Sequence, residues 1–150
     1  MKGSGDCGIP LAAAVGNGDQ FPILLVEDEI FIRLASADWL RDAGYAVIEA
    51  ANPQEALDIL ASGQPLAMLA TDITMPGPMD GLDLAAHVRG TRHALPVLLL
   101  SAHVPENPAD HADAALSKPF SPSELVSTVE RLIGEPWQTR TGGSGTSKAS

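Results

Sequence analysis

Four short apolar runs in this chain each end on a polar residue: ILLV on Glu27-Asp28, LAMLAT on Asp72, VLLL on Ser101 and AALS on Lys118. If these runs are parallel strands of one sheet, their carboxyl ends share an edge, and in open α/β sheets that edge is where sites form. The runs at 23–26 and 97–100 are apolar at every position, as strands covered on both faces must be. Fold and site are thus constrained together, because three carboxylates, a hydroxyl and an ammonium are brought to one place.

The segments between the runs carry helical grammar. From 29 to 43, Ile32, Ala35, Ser36, Trp39 and Ala43 recur at three-and-four spacing, the stripe of an amphipathic helix closed by Gly44, with Trp39 as a core anchor. YAVIEA at 45–50 reads as a second strand. Asn52-Pro53-Gln54-Glu55 then opens a helix: Asn caps, Pro takes the first turn and Glu completes a capping box. The same pattern recurs at Ser121-Pro122-Ser123-Glu124, ahead of a last helix that buries Leu125, Val129 and Leu132 or Ile133. Asp80-Gly81 precedes a third helix running to about Arg89, capped by Asp80 or a neighbour. Between Ser101 and Lys118, Pro105 and Pro108 break the helix that the alternation predicts, leaving a turn or two or nothing. Alternating strands and helices of this kind predict a parallel sheet with helices on both faces.

A chain of 150 residues with 45% hydrophobic content buries one core and is short for two. Residues 21–134 are therefore expected to form one domain between a disordered leader, 1–20, and a disordered tail, 135–150, whose composition is that of a linker. The net charge of −10 excludes a general electrostatic attraction for nucleic acid. No run approaches the roughly 18 apolar residues that a membrane span needs. The lone Cys7 rules out an internal disulfide and makes a reducing cytoplasm the simplest compartment.

Glu27, Asp28 and Asp72 on one edge would repel each other unless a cation or protons intervened. A divalent ion is the economical answer, and oxygen ligands with room for water favour Mg²⁺. The alternative is that each acid only solvates a loop or caps a helix. The four histidines, His87, His93, His103 and His111, show no ligand spacing, and His103 is the nearest of them to the site in sequence.

Taken together, LLVEDE, TDITMPGPMDG, LLLSA and SKPF resemble the receiver domain of two-component response regulators, over about residues 21 to 134. The resemblance implies a doubly wound, flavodoxin-like α/β fold: a five-stranded parallel sheet in the order 2-1-3-4-5. It implies that Asp72 is the phosphoacceptor, that Asp28 binds Mg²⁺ (or Mn²⁺) directly and Glu27 through water, and that the backbone carbonyl of Thr74 is a further ligand. Lys118 and Ser101 would bind the phosphoryl group, with the backbone N–H of Ala102 beside them. A cis peptide would join Lys118 to Pro119. The implied partner is a histidine kinase or histidine phosphotransfer protein, followed by a downstream protein, with neither nucleic acid nor membrane involved.

Three departures from the family pattern bear on output. GPMDG carries one residue more than the commoner loop. Ala115 stands where most receivers place an aromatic three residues before the lysine. The stretch from Ser101 to Lys118 is short, so the fourth helix is expected to be shortened or missing, and the chain to be a monomer or weak dimer. With no effector domain expected after residue 134, the reading is a single-domain regulator. Its alternatives are a phosphate sink or shuttle, a pseudo-receiver that works without phosphorylation, and an aspartate-nucleophile phosphatase. Against the last, the second acid such enzymes carry two residues after the nucleophile is here Thr74.

Overall fold

The computed structural model describes residues 21–103, 107 and 111–136. The elements are β1 (Ile23–Val26), α1 (Ile30–Asp42), β2 (Val47–Ala50), α2 (Pro53–Ala61), β3 (Met68–Asp72), α3 (Gly81–Thr91), β4 (Val97–Ser101), β5 (Ala114–Ser117) and α4 (Pro122–Ile133). The strands form one sheet in the order β2-β1-β3-β4-β5, every pair parallel. This is the 2-1-3-4-5 order, in which the chain starts at β1, crosses to one edge and returns to build the other.

Side chains alternate across a strand, so a sheet with helices on both sides sorts each apolar run into two cores. Leu24, Val26, Leu69, Val97 and Leu99 pack with Ala56 and Leu60 of α2 and Leu84 and Val88 of α3. Ile23, Leu25, Met68, Ala70, Leu98 and Leu100 pack with Ala37 and Leu40 of α1 and Leu125 and Val129 of α4. The three central strands are buried along their whole length, whereas the edge strands β2 and β5 are mostly half-buried.

The helix starts follow the sequence grammar. Asn52 accepts from the Glu55 amide at 2.9 Å, and Ser121 with Glu124 forms a complete capping box. Glu55 departs from the expected box, because its carboxylate accepts from the Ala51 amide at 2.7 Å instead of that of Asn52. Asp80 caps α3 in a box with Asp83.

The stripe expected on α1 is rotated. The buried residues are Ser36, Ala37 and Leu40, while Ile32, Ala35, Trp39 and Ala43 are half-buried. Helix α1 meets two surfaces at once: the sheet takes Ala37 and Leu40, and α4 takes the adjoining flank. Trp39 therefore stands edge-on to Phe120, with ring centroids 6.2 Å apart, at the margin of the core. On α4 the face is Leu125, Thr128 and Val129, with Leu132 and Ile133 half-buried. Between β4 and β5 the described residues 102, 103, 107 and 111–113 are not helical, and residues 104–106 and 108–110 lie outside the description. The expectations for the leader and for the tail beyond residue 136 also fall outside it.

One hydrogen bond ties the turn between α1 and β2 to the C-cap of α4. The hydroxyl of Tyr45, which is 5% exposed, donates to the carbonyl of Gly134 at 2.7 Å. Burial, helped by the charges of Glu130 and Glu135, raises its pKa well above the usual phenol range. Tyr45→Phe is expected to lose about 1 kcal/mol, the worth of one such bond. A raised folded-state pKa contributes stability below the ordinary value of 10.0 and loses it as pH climbs further. The gap in melting temperature between wild type and Tyr45→Phe should therefore narrow when thermal unfolding is followed above that pH.

Candidate functional site

All four polar run-ends lie at the carboxyl edge of the sheet. Asp72 is the last residue of β3, Ser101 the last of β4, Glu27-Asp28 follow β1, and Lys118 follows β5. β1 and β3 are neighbours, as are β3 and β4, so the acids flank one another and Ser101 adjoins Asp72. The oxygens of Glu27, Asp28 and Asp72 gather within 4.8 Å of one another.

Burial divides the three carboxylates. Glu27 and Asp72 are 1% and 6% exposed, while Asp28 is exposed. The Nζ of Lys118 donates to Glu27 Oε1 at 2.6 Å and lies 3.4 Å from Asp72 Oδ1. The other oxygen of Glu27 accepts from the Glu29 amide at 3.1 Å. Burial raises the pKa of Glu27 despite these two bonds, and the charge of Asp72 adds to the rise. Burial alone would lower the pKa of Lys118, but the hydrogen bond to Glu27 and the charges of Glu27 and Asp72 reverse it and hold the ammonium charged.

Three carboxylates against one ammonium leave a surplus of two negative charges (3 − 1) in a partly buried cluster. Hard oxygen donors with excess charge suit a small divalent cation, and the exposed Asp28 leaves a side open to water. The residues present thus fit Mg²⁺. Glu27, with both oxygens engaged, is the least free of the three to bind a cation directly.

The remaining candidates stand as follows. Ser101 is 2% exposed, its Oγ accepts from the His103 amide at 3.1 Å, and its carbonyl accepts from the Lys118 amide at 2.9 Å, tying the two strand ends together. Ala102 lies exposed beside it and borders a groove with Lys118 and Phe31. Thr74 sits exposed on the loop two residues past Asp72. The Lys118–Pro119 peptide is cis. Among the described residues, the potential ligand cluster contains no histidine.

Two residues that sequence reasoning missed hold the backbone of this edge. Gly81, the first residue of α3, lies so close to β3 that a Cβ there would fall on the Asp72 carbonyl oxygen, 2.7 Å from the Ile73 Cα. Its amide donates to the Ile73 carbonyl at 2.8 Å. The hydroxyl of Thr71 donates to the same Asp72 carbonyl at 2.9 Å. The Asp80-Gly81 pair was visible as a helix start, but the close approach is a tertiary fact with no local signal.

A family profile described as response regulator receiver domain matches residues 23–130. The chain is 39% identical over 116 residues to the response regulator MprA of Mycobacterium tuberculosis, covering 74% of this chain and 50% of that protein. It is 34% identical over 117 residues to the sensor kinase CckA of Brucella abortus, covering 74% of this chain and 12% of the kinase. It therefore spans half or less of the length of these two relatives. Among solved structures, it is similar to the response regulator TrrA of Thermotoga maritima in complex with Mg²⁺ and BeF, at 32% identity and a TM-score of 0.69, covering 76% of this chain and all of that one. The chemotaxis protein CheY4 of Vibrio cholerae gives 32% identity and a TM-score of 0.68, covering 75% of this chain and 98% of that one.

Proposed function

The chain belongs to the response regulator receiver family, and from that premise we propose that Asp72 accepts a phosphoryl group from a phosphohistidine of a histidine kinase or histidine phosphotransfer protein. The observation that carries the reading is Lys118 Nζ, set 2.6 Å from Glu27 and 3.4 Å from Asp72 at the edge of the acidic cluster. Phosphoryl transfer onto an anion depends on charge neutralisation around the equatorial oxygens more than on covalent assistance. Lys118 supplies one positive charge at that place.

In the transfer, the P–N bond to the donor imidazole breaks, a P–O bond to an Asp72 carboxylate oxygen forms, and the imidazole takes up a proton. Asp28 and Asp72 would hold Mg²⁺ directly, Glu27 through water and Thr74 through its carbonyl, with Mn²⁺ as a substitute of the same oxygen preference. When bound, the cation neutralises the converging phosphoryl and carboxylate oxygens. Lys118 keeps Glu27 and Asp72 from repelling each other before transfer and is placed to follow the charge onto the phosphoryl oxygens afterwards. Ser101 offers its hydroxyl and Ala102 its N–H to the same oxygens. Water later hydrolyses the acyl phosphate and restores Asp72. The added charge shifts a local equilibrium that a partner protein reads. A cytoplasmic monomer or weak dimer completes the proposal, and among the described residues no helix is long and apolar enough to cross a membrane.

Incubation with a small phosphodonor and Mg²⁺, followed by intact mass, tests the reading. One added phosphoryl group is expected in the wild type and none in Asp72→Asn. Absence of any adduct across several donors overturns it.

A second reading, that the chain drains or relays phosphoryl groups without an output of its own, draws on Ala115. This residue of β5 is half-buried against the α2/α3 side of the core, where it offers one methyl group in place of the aromatic expected there. Serine movement would then have no ring to carry it outward. In a mixture with a phosphohistidine donor and a second aspartyl acceptor, a sink lowers the phosphorylation of that acceptor. Unchanged phosphorylation of the second acceptor excludes the sink.

A further inference from the structure

The backbone that carries the acidic pair is held from outside the cluster. The amide of Glu27 donates to the Ala50 carbonyl of β2 at 3.1 Å, and the carbonyl of Glu27 accepts from Arg33 Nη1 at 2.9 Å. Arg33 lies one turn into α1, and its Nε pairs with Glu49 of β2 at 3.3 Å, with side chains 15% and 22% exposed. The other oxygen of Glu49 is taken by Arg41 at 3.0 Å, whose Nη2 donates to the Val47 carbonyl at 3.1 Å. One guanidinium thus links the loop after β1 to the edge strand, and Glu49 aims it.

We propose that Arg33, oriented by Glu49, is a positioning residue for the divalent-cation site: it fixes the Glu27–Asp28 backbone so that the Asp28 carboxylate is presented to the ion. This rests on Asp28 and Asp72 binding that ion, as set out above. Among the described residues no hydrogen bond restrains the Asp28 side chain, so its placement follows its backbone, and a ligand must be held to about 0.5 Å for full effect. Arg33 also brings a positive charge near a cation site, which by itself would weaken binding. Glu49, which Arg33 shares with Arg41, offsets part of that charge at 3.3 Å, and the proposal is that positioning is the larger effect.

Titration calorimetry with Mg²⁺ on the full chain separates these effects. Arg33→Met is expected to weaken Mg²⁺ binding about tenfold, the lower end for the loss of a partner behind a metal ligand. Its phosphorylation rate at saturating Mg²⁺ should stay within about twofold of wild type, because the residue acts on binding of the ion rather than on the transfer. Arg33→Lys should recover part of the affinity, since an ammonium can reach the Glu27 carbonyl but cannot also fork to Glu49. A purely structural arginine would lower the melting temperature of Arg33→Met and leave the Mg²⁺ constant unchanged, which overturns the proposal. Tighter binding in Arg33→Met also overturns it, because repulsion would then be the larger effect. If Arg33→Met does not fold, Arg33→Lys decides alone, and an Mg²⁺ constant equal to wild type refutes the role. No Mg²⁺ binding by the wild type overturns the cation site itself, and that failure is distinct from equal binding by wild type and variant.

Discussion

Lys118→Met should slow phosphoryl uptake by roughly a hundredfold, the lower range for removing one preorganised group that stabilises developing charge. Met retains most of the stem that borders the groove with Phe120 and removes only the ammonium. What is lost is the one cation among the described residues that pairs with both Glu27 at 2.6 Å and Asp72 at 3.4 Å. Breaking a fully buried ion pair by deleting one partner costs about 3–5 kcal/mol. The Lys118 side chain is 17% exposed, so water recovers part of this and a loss of about 2 kcal/mol is expected.

The loss has a pH signature. Burial raises the pKa of Glu27, and removing the lysine takes away two of the influences that lower it. A carboxyl whose folded pKa lies above its unfolded one contributes stability below the unfolded value of 4.5 and loses it as pH rises. Lys118→Met should therefore lie nearest to wild type in acid and fall away towards neutrality. Melting temperatures of the two proteins across that range, with a mass time course of phosphorylation, check both halves of the expectation.

Gly81→Ala is expected to be the most damaging single methyl group that can be added near the site. Its Cβ would fall on the carbonyl oxygen of Asp72 and lie 2.8 Å from the carbonyl carbon, so the obstacle is backbone and cannot swing aside. The same carbonyl is held by the Thr71 hydroxyl at 2.9 Å, and β3 is buried on both faces, which leaves α3 to retreat. A destabilisation of roughly 3 kcal/mol follows, at the upper end for overpacking. Phosphoryl uptake should fall by about tenfold in whatever fraction folds, because a shift of the Asp72 backbone carries the proposed phosphoacceptor with it. Gly90→Ala in the same helix is the control: its Cβ meets nothing within 4 Å, and it should gain up to about 1 kcal/mol in helix propensity. Urea midpoints of the three proteins decide. Equal midpoints for Gly81→Ala and wild type would mean that the close approach of α3 to β3 does not constrain the site.

These two residues also mark how far the sequence could be read. Asp72 and the acidic pair were legible because a strand buried on both faces is written as a largely apolar run, so the first charged residue after it marks the edge, whereas Lys118 follows the half-buried edge strand β5 and was legible through the SKPF motif. The starts of α2 and α4 were legible because caps act within four residues. Gly81 was read as a helix start only, since its need for the absence of a Cβ arises from β3, which lies nine residues earlier in the chain. Arg33 likewise gave no signal, because its two partners sit on β2 and on the loop after β1. The stripe on α1 was displaced because three-and-four spacing says that a face is apolar without saying whether sheet or neighbouring helix receives it.

Borohydride trapping after exposure to a small phosphodonor and Mg²⁺, with peptide mapping, tests the phosphoacceptor most directly. Hydride reduces an acyl phosphate to an alcohol, so the modified aspartate is left as homoserine and can be located in the chain. Homoserine in place of Asp72 in the wild type, with none in Asp72→Asn, is the expected result. Homoserine in place of Asp28 or any other acid, or none anywhere under conditions that add a phosphoryl group, contradicts it.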